Sequence, residues 1–195
     1  AIAAASVSKQ EGARFFSLDE RKKTVLVVGG SLGAKSINEA IGNGIDQLID
    51  GGLQLIWQTG KPYAEKGKEQ AAGKKGVWVN DFITQMEYAY AAADIVVARA
   101  GAMTVAELCV VKKPVLFVPY PFAAEDHQTA NARQLAGRDA ALMIKDDEAA
   151  SKLVSMTLDL AKDENRQQEM KENISKLAIT NADRVIAEEI LKTIR

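Results

Sequence analysis

The chain has 195 residues, 47% of them hydrophobic and 26% charged, with a formal net charge of -1. This suits one domain or one large lobe with a sizeable core, and near-neutrality gives no reason to expect nucleic acid as a partner. The single cysteine, Cys109, excludes an internal disulfide and a zinc site built on several thiolates, and no apolar run approaches the roughly 18 residues that a membrane span requires.

Ala1 to Ala5 are small and apolar but lack the basic start and longer core of a signal peptide. The absence of an initiating Met reads as a processed chain or a piece of a longer protein, and the lone cysteine fits a cytoplasmic setting. Residues 1–23 read as a lead-in, with a short helix over Lys9 to Phe16 that packs back through Phe15, Phe16 and Leu18. Thr24 to Val28 is apolar on both faces, as in a buried parallel strand, and Gly29-Gly30 stops it. From Ala34 to Ile49 apolar residues recur at helical spacing, until Gly51-Gly52 ends the helix. The alternation then repeats: strand 53–57, polar helix 63–72, strand 77–82, helix 86–93, strand 94–98, helix 103–111, strand 115–118, helix 126–136 and strand 140–144. Two or three amphipathic helices follow from Glu148. Cys109 sits in an apolar run as a small buried hydrophobe, and the Lys22-Lys23 and Lys74-Lys75 pairs read as solvated surface. About six short apolar strands alternating with helices predict an α/β fold, a doubly wound parallel sheet with helices on both faces. Ligands of such sheets sit at the carboxyl ends of the strands.

Four constellations fall at that edge. Gly29-Gly30-Ser31-Leu32-Gly33-Ala34 joins a strand to a helix start, where unpaired amides and the helix dipole favour an anion. Gly30 and Gly33 permit a tight turn, and the Ser31 hydroxyl can donate to a phosphate; an ordinary strand-to-helix turn is the plainer alternative. The second strand ends in Gln58-Thr59-Gly60 rather than the acidic residue that would hold the ribose of NAD. Arg99-Ala100-Gly101-Ala102-Met103-Thr104-Val105-Ala106-Glu107 opens another helix. Glu107 there either accepts from ribose hydroxyls or caps the helix near Thr104. Glu125-Asp126-His127-Gln128-Thr129-Ala130-Asn131 concentrates groups that read sugar hydroxyls, while Asp126 also suits a helix N-cap and His127 a cap or surface group. Ile83, beside Phe82 at the end of a strand, either packs in the core or offers its backbone to a base.

Taken in order, these strings resemble the C-terminal half of the peptidoglycan N-acetylglucosaminyltransferases of glycosyltransferase family 28. Val27 to Ala34, Asp81-Phe82-Ile83, Ala93 to Glu107, and Pro114 to Pro119 with Asp126 to Ala132 carry the resemblance. It implies a Rossmann-like domain, one half of a GT-B fold, that holds UDP-N-acetylglucosamine. Residues 24–180 would form this donor-binding domain and residues 181–195 a C-terminal helix. The resemblance further implies that Ser31 and the amides near Gly30 and Gly33 face the diphosphate, and that the Ile83 backbone pairs with uracil. Gly101, Ala102, Met103 and Thr104 would line phosphate and nucleoside, Glu107 would hold the ribose, and His127, Gln128 and Asn131 would read the sugar. Arg99 would lie near the site in a role left open.

The implied reaction is inverting transfer of N-acetylglucosamine to lipid I, giving lipid II, with neither cofactor nor metal called for. The family's N-terminal domain, with its acceptor loops, membrane-docking face at the cytoplasmic side of the inner membrane and expected base, has no counterpart in these residues. No catalytic residue is therefore assigned here, and the chain is expected to bind the donor weakly and turn over nothing alone. Three other readings stay open: another GT-B UDP-sugar enzyme (a glycolipid glucosyltransferase or an epimerase), an NAD-binding oxidoreductase domain, and a non-catalytic nucleotide-sensing module.

Overall fold

The computed structural model describes residues 7–180 and 182–193. The first six residues of the lead-in, residue 181 and the last two residues lie outside this range. Six parallel strands form one sheet: β1 (Lys23–Val28), β2 (Leu53–Gln58), β3 (Val77–Asn80), β4 (Ile95–Ala98), β5 (Val115–Phe117) and β6 (Leu142–Met143). Their spatial order is β3-β2-β1-β4-β5-β6. The chain therefore winds outward from β1 in one direction, returns, and winds outward in the other from β4. The doubly wound expectation holds, and the switch point lies between β1 and β4.

Strand side chains alternate between two cores, as a two-residue period requires. Val25, Val27, Leu55, Trp57, Ile95, Val97 and Leu116 face one side. They pack against Ile37, Ile41, Ile45 and Leu48 of α2 (Lys35–Asp50) and Leu153 and Leu160 of α7 (Ala149–Lys162). Leu26, Val28, Ile56, Val96, Ala98, Val115 and Phe117 face the other. There they meet Ala89 and Tyr90 of α4 (Met86–Ala92), Leu108 and Cys109 of α5 (Ala102–Val111), and Ala132 and Leu135 of α6 (His127–Ala136). Burial raises the pKa of the Cys109 thiol, in keeping with a packing role. The lead-in contributes α1 (Lys9–Phe15), opened by a Ser8–Glu11 capping box, and inserts Phe16 into the second core. On the first face α3 (Ala64–Ala71), the polar helix read at 63–72, follows a 3₁₀ turn at Lys61–Tyr63. Helix α8 (Glu164–Ser175) packs Met170 into the first core and Ile174 into the second, and α9 (Ala182–Thr193) ends the described chain.

Three local expectations are corrected. The strand predicted to Phe82 stops at Asn80, whose side chain accepts the Asp81 amide and turns the chain away. The last strand shrinks to two residues, because it pairs only with the short β5. Lys23 is not simply solvated: it opens β1, and its ammonium donates to the Ala161 carbonyl at 2.7 Å. Among the described residues no helix is long and apolar enough to cross a membrane.

Candidate functional site

Strand pairing brings the carboxyl ends into one row. Asn80, Gln58, Val28, Ala98, Phe117 and Met143 are successive register partners across the sheet. Every candidate constellation leaves from that row, so separation in sequence becomes adjacency at one edge.

After Val28 the chain enters the glycine turn. Gly30 and Gly33 have φ of +85° and +76°, a region in which residues with a Cβ are strained. The reason for Gly33 is also spatial: a Cβ there would stand 2.0 Å from the Thr59 carbonyl oxygen. A Cβ on Gly60 would stand 2.3 Å from the Gly33 nitrogen, so the turn after β2 backs directly onto the glycine turn. This backing is itself fixed. The Asn38 amide donates to the Thr59 carbonyl at 2.7 Å and accepts from the fully buried Trp57 indole at 3.0 Å. Helix α2 then opens at Ala34 with no side-chain cap, leaving its first amides without helical partners. Ser31 is exposed beside them.

On the other side of the switch point, α5 opens at Gly101, again with no side-chain cap. Apart from its chain neighbours, nothing lies within 4 Å of where a Gly101 Cβ would stand, so that approach is open. The capping alternative for Glu107 is not realised. Its carboxylate instead accepts from the Tyr90 hydroxyl at 2.9 Å, half-buried behind the helix start. Burial, and then the Glu107 carboxylate, push the Tyr90 phenol well above its usual pKa, so it stays a donor. Tyr90 thus fixes one carboxylate oxygen and leaves the other available. Ala102 and Met103 are exposed in the first turn of α5, Met103 at 74%.

Arg99 does not project freely into the site. Its guanidinium donates to the Val118 and Pro119 carbonyls at 2.9 and 3.0 Å, to the Ser36 hydroxyl at 3.2 Å and to the Asp146 carboxylate. It lies 5.5 Å from the centre of the Tyr120 ring. Ser36 also donates to Asp146. One half-buried cation thereby ties the ends of β4 and β5 to the first turn of α2, and it offsets a carboxylate that would otherwise repel an anion at that turn. Ser36, Tyr90 and Asp146 were not anticipated. Asp146 is the first acidic residue after the last strand, so following each strand to its carboxyl end was the available signal.

After β5 the chain forms a loop in which Glu125 and Asp126 are both left-handed, at φ of +51° and +52°. Asp126 occupies the N-cap position of α6 without capping it; its carboxylate accepts from the Thr129 hydroxyl instead. His127 is exposed, with Nδ1 2.7 Å from the Ala124 carbonyl. Gln128 accepts from the Tyr120 amide at 3.0 Å, and Asn131 donates to the Ala100 carbonyl at 3.0 Å. Each amide side chain is anchored through one end and keeps the other. Ile83 is buried, and its amide donates to the Gln58 side chain at 2.9 Å. Any backbone pairing with a base at this residue therefore falls to its carbonyl.

A cleft of about 760 Å³ opens between these loops. Gly30, Gly33, Arg99, Gly101, Thr104 and Gln128 line it. Ser31, Ile83, Ala102, Met103, Glu107, His127 and Asn131 stand outside its lining. A second cavity of about 550 Å³ lies beyond the shared wall of Phe122 and Asp146, and of the candidate constellations only Asp126 and Thr129 line it.

The comparisons bear on the same residues. The family model described as the glycosyltransferase family 28 C-terminal domain matches residues 24–190. A curated relative from Parabacteroides distasonis is 46% identical over 188 residues, covering 95% of this chain and 51% of the relative. It is named UDP-N-acetylglucosamine--N-acetylmuramyl-(pentapeptide) pyrophosphoryl-undecaprenol N-acetylglucosamine transferase. The crystal structure of Acinetobacter baumannii MurG is similar over 98% of this chain and 55% of its own, with a TM-score of 0.81 and 29% identity. A UDP-GlcNAc 2-epimerase from Neisseria meningitidis, solved with UDP-GlcNAc, matches 94% of this chain and 48% of its own at a TM-score of 0.64 and 14% identity, which is likeness of fold alone. The chain spans about half the length of the curated relatives it matches. With the family model covering most of its length, the chain belongs to the glycosyltransferase family 28 C-terminal domain family.

Proposed function

We propose that this chain is the donor-binding half of an enzyme that transfers N-acetylglucosamine from UDP-N-acetylglucosamine to lipid I. The observation that carries the reading is the pair of uncapped, glycine-opened helix starts on either side of the switch point, with Glu107 held behind one of them. The diphosphate takes the first-turn amides of α2 with Ser31, and the helix dipole supports its charge. The nucleoside lies along Gly101 to Thr104, its ribose on the free oxygen of Glu107 and its base at the Ile83 carbonyl. The unanchored ends of Gln128 and Asn131, with His127, read the sugar.

In the transfer, the acceptor hydroxyl forms the new bond to the anomeric carbon as the bond to the diphosphate breaks. Charge grows on the departing phosphate, where preorganised amides stabilise it most. The base that takes the acceptor proton, the acceptor loops and the docking onto the inner face of the bacterial membrane belong to an N-terminal half outside this chain. Alone, the chain binds donor weakly and transfers nothing. The relative's name and the 46% identity favour this acceptor over a glycolipid or an epimerase reaction, and Gln58 at the end of β2 argues against NAD.

Calorimetric titration of the chain with UDP-N-acetylglucosamine, UDP-glucose, UDP and NAD tests the reading. Binding of the three uridine ligands, with the acetamido sugar preferred over glucose, is expected. Binding of NAD alone, or of none of them, refutes it, and so does transferase turnover by the chain without a second domain.

A further inference from the structure

Gln58 is the residue that the donor site does not yet explain. It ends β2, in register with Val28 on one side and Asn80 on the other, and is only 5% exposed. Both ends of its amide are used. Nε2 donates to the Gly30 carbonyl at 3.0 Å, and Oε1 accepts from the Ile83 amide at 2.9 Å. One side chain therefore joins the loop after β1 to the loop after β3, across the end of the strand between them.

These two bonds decide which way two peptide groups face. In a trans peptide the carbonyl of one residue and the amide of the next point in opposite directions. The Gly30 carbonyl is drawn inward by Gln58 and also accepts from the Gly33 amide at 3.1 Å. The Ser31 amide must then point away from Gln58. Likewise, the Ile83 amide points at Gln58, so the Phe82 carbonyl points away. Without Gln58 only the Gly33 amide would hold the Gly30 carbonyl. Glycine at this position leaves many backbone states open.

We infer that Gln58 is a positioning residue for the donor, the strut that turns the Ser31 amide toward the diphosphate and sets its distance from the base-binding loop. This deepens the donor-binding reading and rests on it. Gln58 touches no ligand group itself; it acts through the two peptides it holds. Its chemistry is specific, since the position needs a donor toward Gly30 and an acceptor toward Ile83. Glutamate keeps the acceptor but, when ionised, has no proton for Gly30. Methionine keeps the length and has neither group in the required form.

The test compares the wild-type chain with Gln58→Glu and Gln58→Met, titrated with UDP and with uridine between pH 5 and pH 8. Gln58→Glu should weaken UDP about tenfold at pH 8, as expected for a lost donor beside a carboxylate, and uridine much less. The ratio of wild-type to variant UDP affinity should shrink toward pH 5, as the carboxyl regains a proton to donate. Gln58→Met should weaken both ligands at every pH. An equal loss of UDP and uridine in Gln58→Glu, or a ratio that does not move with pH, overturns the inference. A ligand-free measurement separates it from the donor reading: amide exchange at Gly33 should quicken about tenfold in both variants, because its acceptor, the Gly30 carbonyl, is no longer held. If the wild type binds no uridine ligand the donor reading falls, and unchanged Gly33 exchange still decides against the strut. Should neither variant fold, the wild type decides: the Gln58 side-chain amide protons must exchange slowly with solvent, and fast exchange contradicts the assignment.

Discussion

Between Val28 and Ser36 the cleft is lined by a glycine turn and the helix start behind it, whereas between Tyr120 and Gln128 it is lined by Tyr120, Phe122 and Gln128. The first wall is locked from behind. Gly33 and Gly60 touch backbone to backbone, and Asn38, Trp57 and Gln58 hold the layer beneath them with buried hydrogen bonds. The second wall is exposed. Phe122 is 82% open to solvent against the edge of Tyr120, and two adjacent non-glycine residues are left-handed. A diphosphate is the same in every nucleoside diphosphate sugar, so a rigid array of amides suits it. A sugar differs from its isomers by the placing of hydroxyls, which side-chain amides on a separate loop can read and a main-chain cradle cannot.

The locked wall should be most sensitive at Gly33. Gly33→Ala combines a backbone clash with a left-handed φ and should cost about 3 kcal/mol or more of stability, with loss of UDP binding. Gly30→Ala has open space and should cost only about 1 kcal/mol. Urea unfolding of the two variants checks this, and equal costs would mean the turn is not locked from behind. Next comes Glu107→Ala, which should weaken uridine by about 1–3 kcal/mol as a charge-assisted bond is lost; titration of uridine reads it. Tyr90→Phe should produce a smaller loss in the same titration, because it frees the carboxylate without removing it. Gln128→Ala should weaken UDP-N-acetylglucosamine by about 1 kcal/mol and leave UDP unchanged. A loss of both ligands in calorimetry would place Gln128 with the diphosphate wall instead.

The smallest effect on the site belongs to a residue at the opposite edge of the sheet. Lys113, just before β5, is largely buried, and burial lowers its pKa to about 8 from 10.5, with Asp94 opposing the shift. Its ammonium donates to the Ala93 carbonyl at 2.6 Å. Between those two values the unfolded chain binds more protons than the folded one. Stability should therefore rise with pH through this window, by on the order of 1 kcal/mol after allowance for solvent relaxation. Cys109, whose thiol is shifted upward, works against this above its unfolded value. The slope is best read as wild type minus Lys113→Met, which should isolate the lysine while UDP binding stays unchanged.

The strands and the switch point were legible because runs such as Val25 to Val28 and Ile95 to Ala98 are apolar on both faces, and glycine follows the first. The two helix starts were legible for the same reason. What sequence could not show is how polar groups are already spent. Arg99 looks like a free cation in the string, yet four groups occupy its guanidinium. Gln58 reads there only as a missing acid, because its partners Gly30 and Ile83 are 28 and 25 residues away. Asp146 follows the strand read at 140–144, but nothing in the string shows that it meets Ser36 and Arg99, 110 and 47 residues away. Local pattern reports periodicity and turns; hydrogen-bond partners across a sheet edge depend on register, which no single segment contains.

On the proposed reading, the diphosphate of UDP-N-acetylglucosamine sits on the start of α2 with the nucleoside on the start of α5. Titrating the isotope-labelled chain with this ligand, and following each backbone amide by nuclear magnetic resonance, tests it most directly. The largest shifts should fall on residues 30–37 and 101–104, with smaller ones at Gln128 and Asn131. Shifts centred instead on the cavity around Arg133 and Lys145, or no shifts at saturating ligand, would contradict it.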